Sequence, residues 1–288
     1  MPYPLEHHDV ATNGIRLHVV QCGPAEGPLV ILLHGFPEFW WQWRKYIEPL
    51  AEAGFRVWAP DQRGYNLSDR PPDIASYTLD ALAGDVAGLI DAAGREQAYL
   101  VGHDWGAAVV WWLALTRPER LRRMTVINVP HPAVMLRALR SSPRQLARSW
   151  YMFVFQLPWL PEAMFRFRNF RAPARGLQSS SRPGTFTDAD LNEYRRAWSQ
   201  PGAPRGMVNW YRAAFRHRSQ MPADPRVRVP TLMIWGVRDR FLGRELAAPS
   251  LQLCDDGRLE TIEEATHWTP HEESQRVLKL LTEFFAEE

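Results

Sequence analysis

The run from Gln97 to Trp112 constrains this chain most. An apolar segment, Ala98-Tyr99-Leu100-Val101, leads into Gly102-His103-Asp104-Trp105-Gly106 and then into Ala107-Ala108-Val109-Val110-Trp111-Trp112. A buried strand passes directly into a helix, and the only residues free of side-chain bulk are the two glycines that flank the turn. A turn of that form, small-x-nucleophile-x-small, lifts its middle residue above the end of a sheet. The middle residue is Asp104. Asp before a helix can also be an ordinary N-cap, and the glycines on both sides argue for the sharper role. A carboxylate that attacks an acyl carbonyl yields an anhydride. A carboxylate that attacks a saturated carbon yields an ester, which a second step can hydrolyse.

Around this turn, short apolar runs alternate with helical periodicity. Leu29 to Leu33, Phe55 to Ala59, Gln97 to Val101 and Met124 to Val129 read as strands. A helix is predicted over Trp40 to Ala53 with Gly54 just past its end, another over Tyr77 to Ala93 opened by Thr78, and a third over Trp105 to Thr116, stopped before Pro118. The β-α-β-α-β order implies a parallel sheet. Thr12 to Cys22, with Asn13-Gly14 at its turn, reads as an antiparallel hairpin on the sheet edge. From His131 to about Asp224 no buried strand is found, only broken helical patterns rich in Arg, Pro and aromatics. Strands resume at Pro230 to Gly236 and Leu259 to Ile262, and Ser274 to Phe285 is a final amphipathic helix. The expected organisation is a core of residues 1–130 and 222–288 with a helical lid, residues 131–221, over the carboxyl ends of the strands. Ligands bind at that edge in open α/β sheets.

Composition excludes several classes. The 288 residues are 45% hydrophobic and 23% charged, with a net charge of +2, so nucleic acid is not an expected partner. No basic-then-apolar leader is seen and no apolar run reaches the roughly 20 residues of a membrane span. A cytoplasmic protein with no membrane partner, a monomer or homodimer, is expected. Cys22 and Cys254 are expected to be free thiols, and no metal-type Cys/His spacing occurs. The 13 Trp speak first of packing.

Three further motifs accompany Asp104. His34-Gly35-Phe36-Pro37-Glu38 follows the Leu29 to Leu33 strand, where a loop N–H is needed to complete an oxyanion hole. Phe36 and Trp105 are the expected donors, and Phe36-Pro37 is a candidate cis bond. Asp239 follows the strand ending at Gly236, and His267 follows the last strand. Nucleophile, acid and His in that chain order form a triad in which His267, oriented by Asp239, would activate water. His103 and Glu38 are expected to shape loops.

With these motifs, and with Asp61-Gln62-Arg63-Gly64-Tyr65 and Thr266-His267-Trp268, the chain resembles the epoxide hydrolase branch of the α/β-hydrolase superfamily over nearly its whole length. The resemblance implies an α/β-hydrolase fold with a mostly parallel central sheet, helices on both faces and an inserted helical lid. It implies an epoxide and water as substrates, no cofactor and no metal. It also implies two lid tyrosines that hydrogen-bond the epoxide oxygen, matched here by Tyr151 and by Tyr211 in Asn209-Trp210-Tyr211-Arg212. An alkoxide is a poor leaving group, and a phenol with an ordinary pKa near 10 can protonate it. Pro37, Trp150, Phe153, Trp210 and Trp268 are expected to line an apolar substrate pocket. The rival is a haloalkane or haloacid dehalogenase with the same Asp-His-Asp triad. Haloalkane enzymes typically carry Asn where Phe36 stands, and fluoroacetate enzymes carry Arg where Trp105 stands and a His-Trp pair where Trp150-Tyr151 stands. A non-catalytic ligand sensor is the reading from another class, and the presence of every triad member weighs against it. Nine Arg between Arg137 and Arg182, with Glu162 the only acid, read as a solvated face, an anionic-substrate site or a partner surface.

Overall fold

The apolar runs form a single eight-stranded sheet in a computed structural model that describes residues 3–287. The strands are β1 (Glu6–Thr12), β2 (Ile15–Cys22), β3 (Leu29–Leu33), β4 (Arg56–Pro60), β5 (Ala98–His103), β6 (Leu121–Ile127), β7 (Thr231–Gly236) and β8 (Gly257–Ile262). Their order is β1-β2-β4-β3-β5-β6-β7-β8. From β4 to β8 all pairs are parallel; β1 and β2 form the antiparallel edge hairpin, with Asn13 and Gly14 both at positive φ in its turn. Every residue of β3, β5 and β7 is buried, which is why these strands read as continuous apolar runs and not as alternation.

The connecting helices are α1 (Ile47–Glu52), α2 (Leu79–Ala92) and α3 (Trp105–Thr116). The inserted segment between β6 and β7 holds α4 (Pro132–Ser141), α5 (Pro143–Arg148), α6 (Trp150–Val154), α7 (Leu160–Ser180), α8 (Asp188–Trp198) and α9 (Ala203–Arg216). The chain closes with α10 (Ala247–Leu251), α11 (Thr269–Glu272) and α12 (Ser274–Ala286). Helix α3 is apolar nearly all round, with Trp111 and Trp112 fully buried, as befits a helix enclosed by β5, β6 and α2. Thr78 caps α2 as its sequence predicts, accepting from the Ala81 N–H.

Two predicted elements differ. The helix expected over Trp40 to Ala53 is a 3-10 turn (Trp40–Trp43) followed separately by α1. Pro49 has no N–H to return to Lys45, so it fits only in the first turn of a helix, and α1 starts afresh at Ile47. The strand expected to reach Val129 ends at Ile127, because Asn128 turns to φ 55°. Cys22 and Cys254 are both buried and unpaired.

The topology collects the chemistry at one edge. His34 to Glu38 follow β3, Asp104 follows β5, Asn128 follows β6, Asp239 follows β7 and His267 follows β8. Buried hydrogen bonds fasten the inserted helices over that edge: Trp198 Nε1 donates to the Pro37 carbonyl at 2.6 Å and Trp210 Nε1 to the Arg63 carbonyl at 2.8 Å.

The turn after β5 depends on Gly102 and Gly106. A Cβ on Gly102 would strike the Gly106 backbone, and one on Gly106 would strike the Leu33 and His34 carbonyls. Gly106→Ala is therefore expected to destabilise the protein by about 1–3 kcal/mol through overpacking, read as a lowered midpoint in urea unfolding.

Candidate active site

Asp104 sits at φ 49° and ψ −123°, a conformation costly for a residue with a side chain and held only because the surroundings impose it. Its side chain makes no cap hydrogen bond to α3. The N-cap reading of this Asp thus fails. Oδ1 instead accepts from the Phe36 backbone N–H at 2.8 Å, and Oδ2 lies 3.4 Å from His267 Nε2. The Phe36-Pro37 peptide is cis. The N–H of Trp105 opens α3, where no intrahelical acceptor exists.

Behind His267, Nδ1 meets Asp239 Oδ2 at 2.7 Å. Asp239 is buried and its oxygens are filled: Oδ1 accepts the Phe241 and Leu242 N–H groups at 2.7 and 2.9 Å, and Oδ2 also accepts Asn128 Nδ2 at 2.9 Å. With its lone pairs so engaged, Asp239 can hold only one edge of the imidazole, which fixes the ring with Nε2 toward Asp104. Asn128 escaped the sequence reading. Its Oδ1 accepts from Thr269 Oγ1 at 2.7 Å and from the Gly236 N–H at 3.2 Å, so it joins the ends of β6 and β7 to α11. The available signal was a lone amide in an apolar run, Val126-Ile127-Asn128-Val129, at a strand's carboxyl end.

The charges of this line reinforce one another. Burial by itself would lower the pKa of His267, but the charge of Asp239 and the contact with Asp104 overturn this and raise it to about 10. Burial would raise the pKa of Asp104, yet the His267 hydrogen bond and charge, with the Phe36 N–H, bring it below the usual carboxylate range. An ion pair is the resting state of the site.

Asp104 opens onto a cavity of about 390 Å³, lined also by Trp105, Trp112, Tyr151, Phe153, Trp210 and Tyr211. The Tyr151 and Tyr211 rings stand 5.9 Å apart, and that of Tyr211 packs 5.1 Å from both Phe36 and Trp105. Burial, chiefly, and the nearby Asp104 charge raise the pKa of both phenols, so each keeps its proton.

The model of the alpha/beta hydrolase fold matches residues 28–274. The chain belongs to the alpha/beta hydrolase family. Within this family it is similar to the AB hydrolase superfamily protein YfhM of Bacillus subtilis, 48% identical over 96% of each chain. It is 35% identical to epoxide hydrolase 2 of Caenorhabditis elegans, over 98% of this chain and 80% of that protein. Among solved structures, a Bacillus megaterium epoxide hydrolase in complex with an inhibitor superposes with a TM-score of 0.87 at 30% identity, over 97% of this chain and 100% of that one. The chain thus groups with the family's epoxide hydrolases.

Three residues expected to line the hydrolase pocket do not. Trp150 projects from α6 with 64% of its surface exposed, because the adjacent Tyr151 takes the inward position. Trp268 is buried beside His267, its ring 5.3 Å away, and its Nε1 donates to Ser180 Oγ. Pro37 is tied down by Trp198. Phe153 and Trp210 do line the cavity. Glu38, fully buried, meets His271 Nε2 at 2.5 Å and accepts from the Tyr194 hydroxyl at 2.6 Å, while His103 Nε2 meets the His267 carbonyl at 2.8 Å. Both support the loops around the triad and neither faces the cavity. Among the described residues no cluster of His, Cys, Asp or Glu is arranged to hold a metal, and no helix is long and apolar enough to cross a membrane.

Removing the Asp104 charge should weaken the hold of the site on the His267 proton. In Asp104→Asn the His267 pKa is expected to fall below its wild-type value of about 10, since one of the two anions favouring imidazolium is gone. Histidine-selective NMR titration reads this directly; an unchanged pKa would separate the two side chains electrostatically.

Proposed function

We propose that this protein hydrolyses epoxides to vicinal diols through a covalent ester on Asp104. The observation that carries the reading is an aspartate at the apex of the turn, 3.4 Å from the imidazole of His267 and open to an apolar cavity with two protonated tyrosines. The family's epoxide hydrolases among the relatives support it. In this reading residues 1–130 and 222–288 form the catalytic core and residues 131–221 a helical lid that carries Tyr151 and Tyr211.

The reaction has two steps. The Asp104 carboxylate attacks a ring carbon, the C–O bond opens, and Tyr151 and Tyr211 hydrogen-bond the departing oxygen, one of them giving it a proton. Buried phenols remain protonated until the developing alkoxide draws the proton away. Ester formation neutralises Asp104. The imidazolium of His267 then loses one of its two supporting anions and its pKa falls, so its proton passes through cavity water to the phenolate left on the tyrosine, and Nε2 is free to take a proton from the attacking water. That water attacks the ester carbonyl. The Phe36 N–H already points at a carboxyl oxygen of Asp104, and with the Trp105 N–H it would hold the tetrahedral oxyanion; one such donor is worth roughly 3–4 kcal/mol. The diol leaves with an oxygen of Asp104, and the water oxygen stays in the carboxyl group. Asp239 keeps His267 oriented.

The apolar and aromatic wall favours an apolar or aryl epoxide. In His267→Gln, ester formation should proceed and hydrolysis stall. Intact-protein mass spectrometry after incubation with styrene oxide should show protein plus one substrate, and an unmodified mass would remove the ester from the scheme.

Epoxide and halide chemistry part at the leaving group. Tyr211→Phe is expected to slow styrene oxide turnover about 10²-fold or more, the scale of a lost general acid, with far less effect on any bromoalkane turnover. Equal losses on both would make Tyr211 a packing residue.

A further inference from the structure

The large hydrophobic side chains left exposed among the described residues concentrate in one stretch of the chain. Nine large hydrophobic side chains stay exposed among the described residues, and seven of them lie between positions 146 and 167. Trp150, Trp159 and Phe167 are the extreme cases, at 64%, 72% and 62% exposure, joined by Leu157 and Met164. Such clustering marks an interaction surface, since scattered single hydrophobics are the ordinary condition. The patch is continuous with the cavity: Leu146 and Phe153 are exposed and also line its wall. Helix α7 breaks at Phe167 to Phe170, where three successive residues adopt positive φ, and the break presents Phe167 with Arg168 stacked over its ring at 5.2 Å.

Charge decides what can cover this patch. Arg140, Arg144, Arg166, Arg168, Arg171 and Arg175 are exposed and make no ion pair among the described residues. The one acid of the segment, Glu162, is already held by both terminal nitrogens of Arg212, at 2.6 and 3.1 Å. A second copy of this chain placed on the same patch would set arginine against arginine. A surface that is negative and apolar at once fits better. Trp and Phe favour the boundary between lipid headgroups and acyl chains, and arginines gain near an anionic leaflet. We propose that the outer face of the inserted helices, residues 146–175, docks on the surface of a bilayer that contains anionic lipid, with the cavity mouth at its margin. The expectation of no membrane partner rested on the lack of a spanning segment, and docking from one side needs none. The proposal holds whichever ligand the cavity takes.

The test is co-sedimentation of the full chain with vesicles of phosphatidylcholine alone and of an equimolar mixture with phosphatidylglycerol. Binding is expected to the mixture, weaker to phosphatidylcholine alone, and reduced when salt is raised from about 0.1 M to about 0.5 M. Trp159→Ser with Phe167→Ser, and separately Arg166→Gln with Arg168→Gln and Arg171→Gln, should each lower affinity for the mixture about tenfold or more. The arginine variant keeps every apolar side chain of the patch and loses only the Arg168 guanidinium over Phe167, so it tests the idea even if the other variant repacks; matching thermal melts check both. Wild type that stays in the supernatant with both vesicles, or variants that bind as wild type does, would overturn the proposal. So would sedimentation velocity showing a wild-type oligomer that Trp159→Ser with Phe167→Ser dissociates, without vesicle binding, because the patch would then lie between copies.

Discussion

Everything at the sheet edge is organised around one carboxylate held where a carboxylate is expensive. Asp104 is lifted to positive φ by a turn in which two glycines allow backbones to touch, and its oxygens are divided between a loop N–H and an imidazole. The strain and the desolvation are sustained by the rigid sheet beneath it, since β5 is buried along its whole length between β3 and β6. A softer scaffold would let the side chain rotate down to cap α3, the lower-energy use of an aspartate at that position.

The rest of the triad is a means of controlling one proton. Asp239 takes four hydrogen bonds, three from groups other than the histidine, and so behaves as a fixed negative charge. His267 lies between that charge and Asp104. In the proposed reaction the alternation between imidazolium and imidazole would follow from the covalent state of Asp104 without movement of the fold. Asn128 is the least conspicuous contributor. It links the ends of β6 and β7 with α11, which ties the acid-bearing loop to the histidine-bearing one.

Much of the sheet and the core of the site could be read from the residues because both depend on local chemistry. Glycines around Asp104, apolar runs before each loop and the order of Asp104, Asp239 and His267 all leave marks in a linear string. What could not be read depends on direction. Neighbours on α6, Trp150 and Tyr151 are both large aromatics, and only packing decides that one turns to solvent and the other to the cavity. Trp268 adjoins His267 in sequence and Pro37 adjoins Phe36, and yet both are absorbed by hydrogen bonds with the inserted helices, to Ser180 and from Trp198. The break of the predicted helix after Trp43 turned on a missing N–H at Pro49, a signal present in the sequence but overridden there by apolar periodicity.

Glu38 carries a consequence for traffic into the site. This one buried carboxylate is shared by His271 from the histidine loop and Tyr194 from α8, and Trp198 of the same helix grips the Pro37 carbonyl. Lifting α8 would take the Tyr194 hydroxyl from a buried carboxylate and the Pro37 carbonyl from Trp198, at a cost of about 1–3 kcal/mol for each buried polar group left unsatisfied. That side of the roof is a hinge pin. Passage into the cavity meets less resistance between α4, α6 and the end of α9, where Met135, Leu136, Leu146 and Phe153 stand in its wall.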